Sequence, residues 1–408
     1  MDLRLYNTAS RAIEPFAPLG EAVGLYVCGV TPYDTTHMGH AFTYVVFDTL
    51  TRVLRRAGWP VTYVQNVTDI DDDILKRARE TGKQWDELGR EQTAQYEADT
   101  RALNIEPPTH FLRATDEIDQ MIPLIATLIE KGHAYVADGN VYFSVASDPD
   151  YGSLSRYSRV EMREIAAERG GNPDDPRKRD PLDFLLWRAE QPGEPAWDSP
   201  WGGGRPGWHI ECSAMAMHFL GPTVDIHGGG ADLIFPHHES EIAQSECATD
   251  VHPFVRVWMH TAMVRYEGEK MSKSLGNMVF VRDALKQYDP DAIRLSLLNH
   301  HYRASWEYED GDPAIFLPLV QRATGALVLP PDGHAPLDTA RFLATFDRAL
   351  ENDLDTPAAI AAFQSLVTAM TDVGRASDQS RAALRAMAET LGLRLGLTSP
   401  LYRSIDIS

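Results

Sequence analysis

Apolar positions come in blocks whose period switches along the first part of the chain. Val23-Gly-Leu-Tyr-Val-Cys28 is a continuous apolar run of strand length. It breaks into Gly29-Val-Thr-Pro-Tyr-Asp-Thr-Thr-His37-Met-Gly-His40. Beyond that, Val46, Leu50, Val53 and Leu54 fall at i, i+4, i+7 and i+8, one face of a helix, and Gly58 stands where that helix should end. A second apolar run, Val61-Thr-Tyr-Val64, leads into Asn66-Val67-Thr68-Asp69. Strand, glycine turn, helix and strand predict a βαβ unit, the building block of a parallel sheet.

The same signals organise the rest. Leu3–Tyr6 reads as a short strand, and Asp69–Asp73 as an aspartate-capped helix start. Residues 85–135 read as helical, with Met121, Leu124, Ile125 and Leu128 on one face, and Val141–Val145 as a strand. Residues 146–205, rich in Pro, Gly and charge, read as an insertion within the catalytic domain rather than a separate fold. Val224-Asp-Ile-His227 runs as a strand into Gly228-Gly-Gly230-Ala231-Asp232, and Val255–Met259 is another strand. Beyond about residue 300 the pattern is purely helical. Phe342, Phe346, Leu350 and Leu354 form one stripe. Ile360, Phe363, Val367 and Met370 follow a Thr356-Pro357 helix start, and Leu384, Met387 and Leu391 form a third stripe. The expectation is an α/β protein: a Rossmann-like catalytic domain over 1–300 and a helical bundle over 301–408.

Composition narrows the class. The chain has 408 residues, 43% of them hydrophobic, and no stretch of transmembrane length. The N-terminus lacks signal-peptide form, and three cysteines without a secretion signal point to the cytoplasm and to thiols as ligands or packing groups. The net charge of −21 favours a small substrate over a large polyanion, although a local basic patch would suffice for RNA. Arg177-Lys178-Arg179 is the one dense basic cluster, followed at once by Asp180.

The turn between the first strand and its helix lies where open α/β sheets bind ligands, at a carboxyl strand end and a helix N-terminus. His37 and His40 flank a glycine there. About 230 residues on, Lys270-Met-Ser-Lys273-Ser-Leu-Gly-Asn277 offers two lysines on a Gly/Ser loop able to neutralise a departing pyrophosphate. The pair of motifs resembles the HIGH and KMSKS signatures of class I aminoacyl-tRNA synthetases. The resemblance implies that His37, His40, Lys270 and Lys273 stabilise the transferring phosphoryl charge of ATP, which is bound with Mg2+.

Cys28, Cys212, His237 and Glu241 are far apart in sequence, yet each falls at a predicted strand end or on the adjoining helix, and His237 and Glu241 share a helical face. Two thiolates, an imidazole and a carboxylate suit tetrahedral zinc. Each alone reads as an ordinary core residue, and Cys247 has no partner in the pattern. Zinc beside an adenylating centre would bind a substrate thiol and so select cysteine over serine.

Together with Arg205-Pro-Gly-Trp208-His-Ile-Glu-Cys212 and His227-Gly-Gly-Gly-Ala-Asp-Leu-Ile-Phe-Pro-His-His238, these motifs resemble cysteinyl-tRNA synthetases over nearly the whole chain. The reaction implied is cysteine plus ATP giving cysteinyl-adenylate, then transfer to an acceptor. Carried over by position, Cys28, Gly29, Val30, Thr31, Thr43, Asn66, Val67, Thr68, Trp208, Gly230, Ala231, Asp232 and Val264 would line the adenylate pocket. The family has two branches. The synthetase proper charges tRNA. The other, the mycothiol-pathway ligase, joins cysteine to the amine of glucosaminyl-inositol. Pro32 in the first turn, Phe42, Glu168-Arg-Gly-Gly-Asn-Pro173 and a chain that stops after the bundle resemble the ligase. Glu241 and Lys270–Leu275 resemble the synthetase. The expectation is the ligase branch, with no membrane partner and with tRNA charging as the alternative. A synthetase-like binding module with a degraded site is disfavoured, because every motif residue is present.

Overall fold

The computed structural model describes residues 1–33, 36–271, 275–331 and 337–396. At its centre is a five-stranded parallel sheet. From edge to edge its strands are Val255–Thr261, Val224–Gly230, Val23–Val30, Val61–Val67 and His110–Arg113. This is the doubly wound order, in which the first strand in sequence sits mid-sheet and the chain winds outward both ways. The sequence turns at a switch point between Val23–Val30 and Val224–Gly230, where a crevice opens at the carboxyl ends of the strands.

Helix Met38–Arg56 crosses one face of the sheet, burying Phe42, Val46, Leu50, Val53 and Leu54. Its end matches the sequence reading, with Gly58 left-handed at φ +92°. Helices Ile118–Glu130, Trp208–Leu220 and Glu239–Thr249 belong to the hydrophobic cluster on the other face. The aspartate cap is Asp71, whose side chain accepts from Ile74 N at 2.9 Å to open helix Asp72–Thr81.

Three local expectations change. Residues 85–135 are not all helical: helix Trp85–Ala102 and helix Ile118–Glu130 are separated by the edge strand His110–Arg113. A strand of four residues is too short to show alternation, and only Pro107-Pro108 punctuates the helical pattern before it. The insertion has order of its own. Its strands Phe184–Ala189 and Gly204–Pro206 extend an antiparallel sheet begun by Ala134–Ala137 and Asn140–Phe143, which precede residue 146, with helix Arg159–Glu168 in the long connection. Two of its ion pairs are internal, Arg159 with Asp180 at 2.5 Å and Arg163 with Asp174 at 2.7 Å. Third, Asp355 rather than Thr356 caps helix Thr356–Val373, accepting from Ala358 N at 3.1 Å. Thr356 instead donates its hydroxyl to Leu298 O at 2.6 Å.

The helices beyond residue 300 form the expected bundle, preceded by the short strand Trp306–Glu307. Their apolar stripes share one hydrophobic cluster with Phe42, Val46 and Leu50 of the nucleotide-side helix.

Candidate active site at the switch point

His37 begins the helix as its N-cap. Its Nδ1 accepts from the backbone N–H of Gly39 at 3.1 Å and of His40 at 3.4 Å. With Nδ1 an acceptor, the neutral ring carries its hydrogen on Nε2. The His40 ring stacks on it at 3.8 Å between centroids. Both histidines therefore stand at the positive end of a 19-residue helix, aimed where a phosphate is favoured. The backbone after the lysine loop returns to this point: Met38 N donates to Val279 O and Val281 N to Thr36 O, both at 2.9 Å. Lys270 closes the short strand Glu269–Lys270. Its side chain, and Lys273 altogether, lie outside what the structure describes.

Most of the predicted pocket residues meet at neighbouring strand ends. Cys28, Gly29 and Val30 end the central strand, with Thr31 just beyond it. Gly29 is required there, because a Cβ would lie 1.5 Å from Asn66 O. Gly29 N donates to Asn66 Oδ1 at 2.8 Å, Asn66 Nδ2 to Thr68 Oγ1 at 3.3 Å, and Thr68 Oγ1 to Glu211 Oε2 at 2.9 Å. Val67 ends the neighbouring strand. Thr43 lies on the helix within 2.8 Å of Thr261 Oγ1. Across the crevice, Gly230 ends its strand and Ala231–Leu233 turns away with Asp232. Arg169, from the insertion segment that resembles the ligase, donates to Asp232 O. Trp208 stacks on His237 at 4.2 Å. Val264 starts the next strand, three residues beyond Thr261.

The four predicted metal ligands converge from four elements, strand Val23–Val30, helix Trp208–Leu220, the helical segment Ile234–His238 and helix Glu239–Thr249. Cys28 Sγ is 3.8 Å from Cys212 Sγ and 3.7 Å from Glu241 Oε1, and His237 Nε2 is 3.1 Å from Glu241 Oε1. A second set shares two of these residues: Cys28, His227, His238 and Glu241. All are buried. Burial pushes both thiols above their usual range and holds His237 and His238 well below theirs, so each group is driven toward its neutral form.

A zinc ion fits the first set. Two thiolates each about 2.3 Å from a tetrahedral ion stand about 3.8 Å apart, the separation observed. Nε2 of His237 is buried and makes no hydrogen bond, as a nitrogen reserved for a metal would be. In the second set the histidines already have partners. His227 Nε2 is 2.9 Å from Glu241 Oε2, and His238 Nδ1 is 2.7 Å from His260 Nε2. They read as an outer layer that orients Glu241 and Cys28.

This outer layer was not singled out by sequence reasoning. His227, His238, His260 and His209, whose Nδ1 is 2.9 Å from His237 Nδ1, carry no spacing signal. Only the doubled histidine at 237–238 and the histidine opening the glycine run hinted at it. Glu211, next to Cys212 and 1% exposed, was likewise passed over. Burial raises its carboxyl well above the ordinary range, against the pull of the Thr68 hydroxyl.

A doubly wound sheet with paired histidines at its first helix and a thiolate-rich cluster beside them defines a class I synthetase catalytic core. Residues 15–314 match the family model of the tRNA synthetases class I (C) catalytic domain, and the chain belongs to that family. The L-cysteine:1D-myo-inositol 2-amino-2-deoxy-alpha-D-glucopyranoside ligase of Nocardiopsis dassonvillei is 49% identical, with 96% of each chain covered. The cysteine--tRNA ligase of Methylococcus capsulatus is also 49% identical, covering 97% of this chain and 85% of its own. Methionyl-tRNA synthetase of Mycobacterium tuberculosis, solved with methionyl-adenylate, shares the fold at a TM-score of 0.62 and 17% identity, over 91% of this chain and 89% of its own. No described helix is long and apolar enough to cross a membrane.

Proposed function

We propose that this protein activates L-cysteine with ATP and transfers it to the amine of glucosaminyl-inositol, in the cytoplasm. The observation that carries the acceptor is near full-length identity to ligases of that name, 49% in one relative and 47% in the Kribbella flavida protein. Phe42 supports it. The side chain is fully buried with its ring against Trp306 at 5.6 Å, an apolar core position rather than a cationic one at the mouth of the site.

In the first step a carboxylate oxygen of cysteine attacks the α-phosphorus of ATP, which carries Mg2+, and the bond to pyrophosphate breaks. His37 and His40, with Lys270 and Lys273 from the loop, stabilise charge building on the phosphoryl oxygens. In the second step the acceptor nitrogen attacks the carbonyl carbon, the bond to AMP breaks, and the nitrogen loses a proton as the amide forms. Gly29, Asn66, Thr68 and Trp208 hold the adenylate between the two steps. Cys28, Cys212, His237 and Glu241 would hold zinc, which when bound takes up the substrate thiol as thiolate and so discriminates cysteine from serine.

Charging of tRNA is the second reading, favoured by the equal identity to a cysteine--tRNA ligase and by Glu241 within reach of both thiol and imidazole. The test is incubation with cysteine and ATP, with glucosaminyl-inositol in one sample and cysteine tRNA in another, following AMP release and product mass. A cysteinyl-glucosaminyl-inositol product without charged tRNA is expected. Charged tRNA without the sugar product overturns the ligase reading. No cysteine-dependent pyrophosphate exchange at all overturns both.

A further inference from the structure

Glu211 has one carboxylate oxygen engaged by Thr68 at 2.9 Å, and the other, Oε1, is buried without a hydrogen-bond partner. The side chain stands in the first turn of helix Trp208–Leu220, one turn beyond Trp208 and immediately before Cys212. A bare carboxylate oxygen in a dry site is costly unless a donor meets it. Thr68 is expected to line the adenylate pocket, as is Trp208 one helical turn earlier, so Oε1 lacks an N–H donor beside the residues where the substrate is expected.

We propose that Glu211 receives the α-ammonium of the substrate amino acid, its free oxygen accepting an N–H and its bound oxygen fixing the Thr68 hydroxyl. This rests on the cysteine-activation reading. The thiol and ammonium of cysteine are two carbons apart, and Glu211 directly precedes Cys212 on helix Trp208–Leu220, with its carboxyl at Thr68 and the Cys212 thiol at Cys28. Glu211 is then a binding residue that makes the site require an α-amine, while the thiolate cluster makes it require sulfur. The acceptor amine, which must reach the carbonyl carbon uncharged, is not its ligand.

The test compares L-cysteine with 3-mercaptopropionate, which lacks only the ammonium. Binding is measured by calorimetry on the full-length, zinc-loaded protein, and KM by ATP–pyrophosphate exchange. The wild-type protein should favour cysteine by about 10- to 100-fold, the range of a hydrogen bond to a charged group. In Glu211→Gln that ratio should fall to within about threefold, with KM for cysteine raised by a similar factor and KM for ATP nearly unchanged. Zinc content, measured in parallel, should stay at the wild-type level. Equal binding of the two ligands by the wild-type protein overturns the proposal without any variant. So does a Glu211→Gln protein that keeps the wild-type preference, or one in which only the acceptor KM rises. A wild-type protein that prefers cysteine but shows no exchange would sink the activation reading and leave the ammonium site standing.

Discussion

At the residue scale the site is built from side chains that make sense only in pairs. Cys28 and Cys212 are each buried, and either alone would pass for a small apolar group. Their 3.8 Å separation, beside His237 Nε2 and Glu241, is the spacing a tetrahedral metal site would need. Cys212→Ser should therefore lose most of its stoichiometric zinc by atomic absorption and raise KM for cysteine at least about tenfold, as a ligand loss commonly does. Retention of full zinc would reassign the site to Cys28, His227, His238 and Glu241. Gly29→Ala tests a steric limit. The added Cβ would meet Asn66 O at 1.5 Å, a backbone atom that no rotamer change can move. We expect a loss of more than about 3 kcal/mol, at the high end for overpacking, in chemical denaturation. The two cysteines and His237 were legible in the sequence because their residue types are scarce and chemically specific. His260 and Glu211 were not, because their roles depend on what lies opposite them across the crevice.

At the element scale, helix starts decide where chemistry sits. Asp71 caps helix Asp72–Thr81, and burial pushes its carboxyl up to about 6 despite the Ile74 N–H. A raised folded-state pKa means that the folded protein binds the proton more tightly than the unfolded chain. The charged carboxylate therefore costs stability above about pH 6, and the cost vanishes below the unfolded value near 4. Asp71→Asn keeps a capping oxygen. It should be close to neutral at pH 4 and stabilising by about 1–3 kcal/mol at pH 8, with the gain appearing between those values in paired urea titrations. A difference constant with pH would show that Asp71 is not strained by burial. The long periodic helices and the buried strands were readable because their apolar repeat spans several turns or a whole strand. The edge strand His110–Arg113 and the insertion's strands Phe184–Ala189 and Gly204–Pro206 were not, because runs of three to six residues carry too few repeats.

At the scale of the whole molecule, the bundle is bound into the catalytic core. Arg294 is completely buried. It pairs with Asp48 on the nucleotide-side helix and donates to Leu391 O at 2.5 Å and Leu103 O at 3.1 Å. Asp291 accepts from the backbone of Arg394 and Leu395, and Asn104 donates to Gly392 O at 2.7 Å. Through these contacts the last helix, Asp378–Thr390, and the segment after it close over the helix that carries His37 and His40. A fragment of residues 1–300 should accordingly be poorly folded, and the full chain should melt in one calorimetric transition. Arg294→Ala leaves Asp48 paired with Arg52 but takes the donor from Leu391 O and Leu103 O, and should lower stability by about 1–3 kcal/mol. A stable fragment with full pyrophosphate exchange would make the bundle an independent domain.

By itself the sequence determined the class of chemistry and the catalytic core. The histidine pair, the lysine loop, the scattered thiols and the alternating strand and helix periods are local patterns, and local patterns are what a chain displays in order. The tertiary structure decided what depends on distance between remote residues. It gathered two overlapping donor sets around Cys28 and Glu241, left Glu211 Oε1 without a partner, and shared one apolar cluster between core and bundle. Those outcomes are set when the strand ends at Cys28 and Val67 meet the helical segments that carry Cys212 and His237, and no spacing along the chain encodes that meeting.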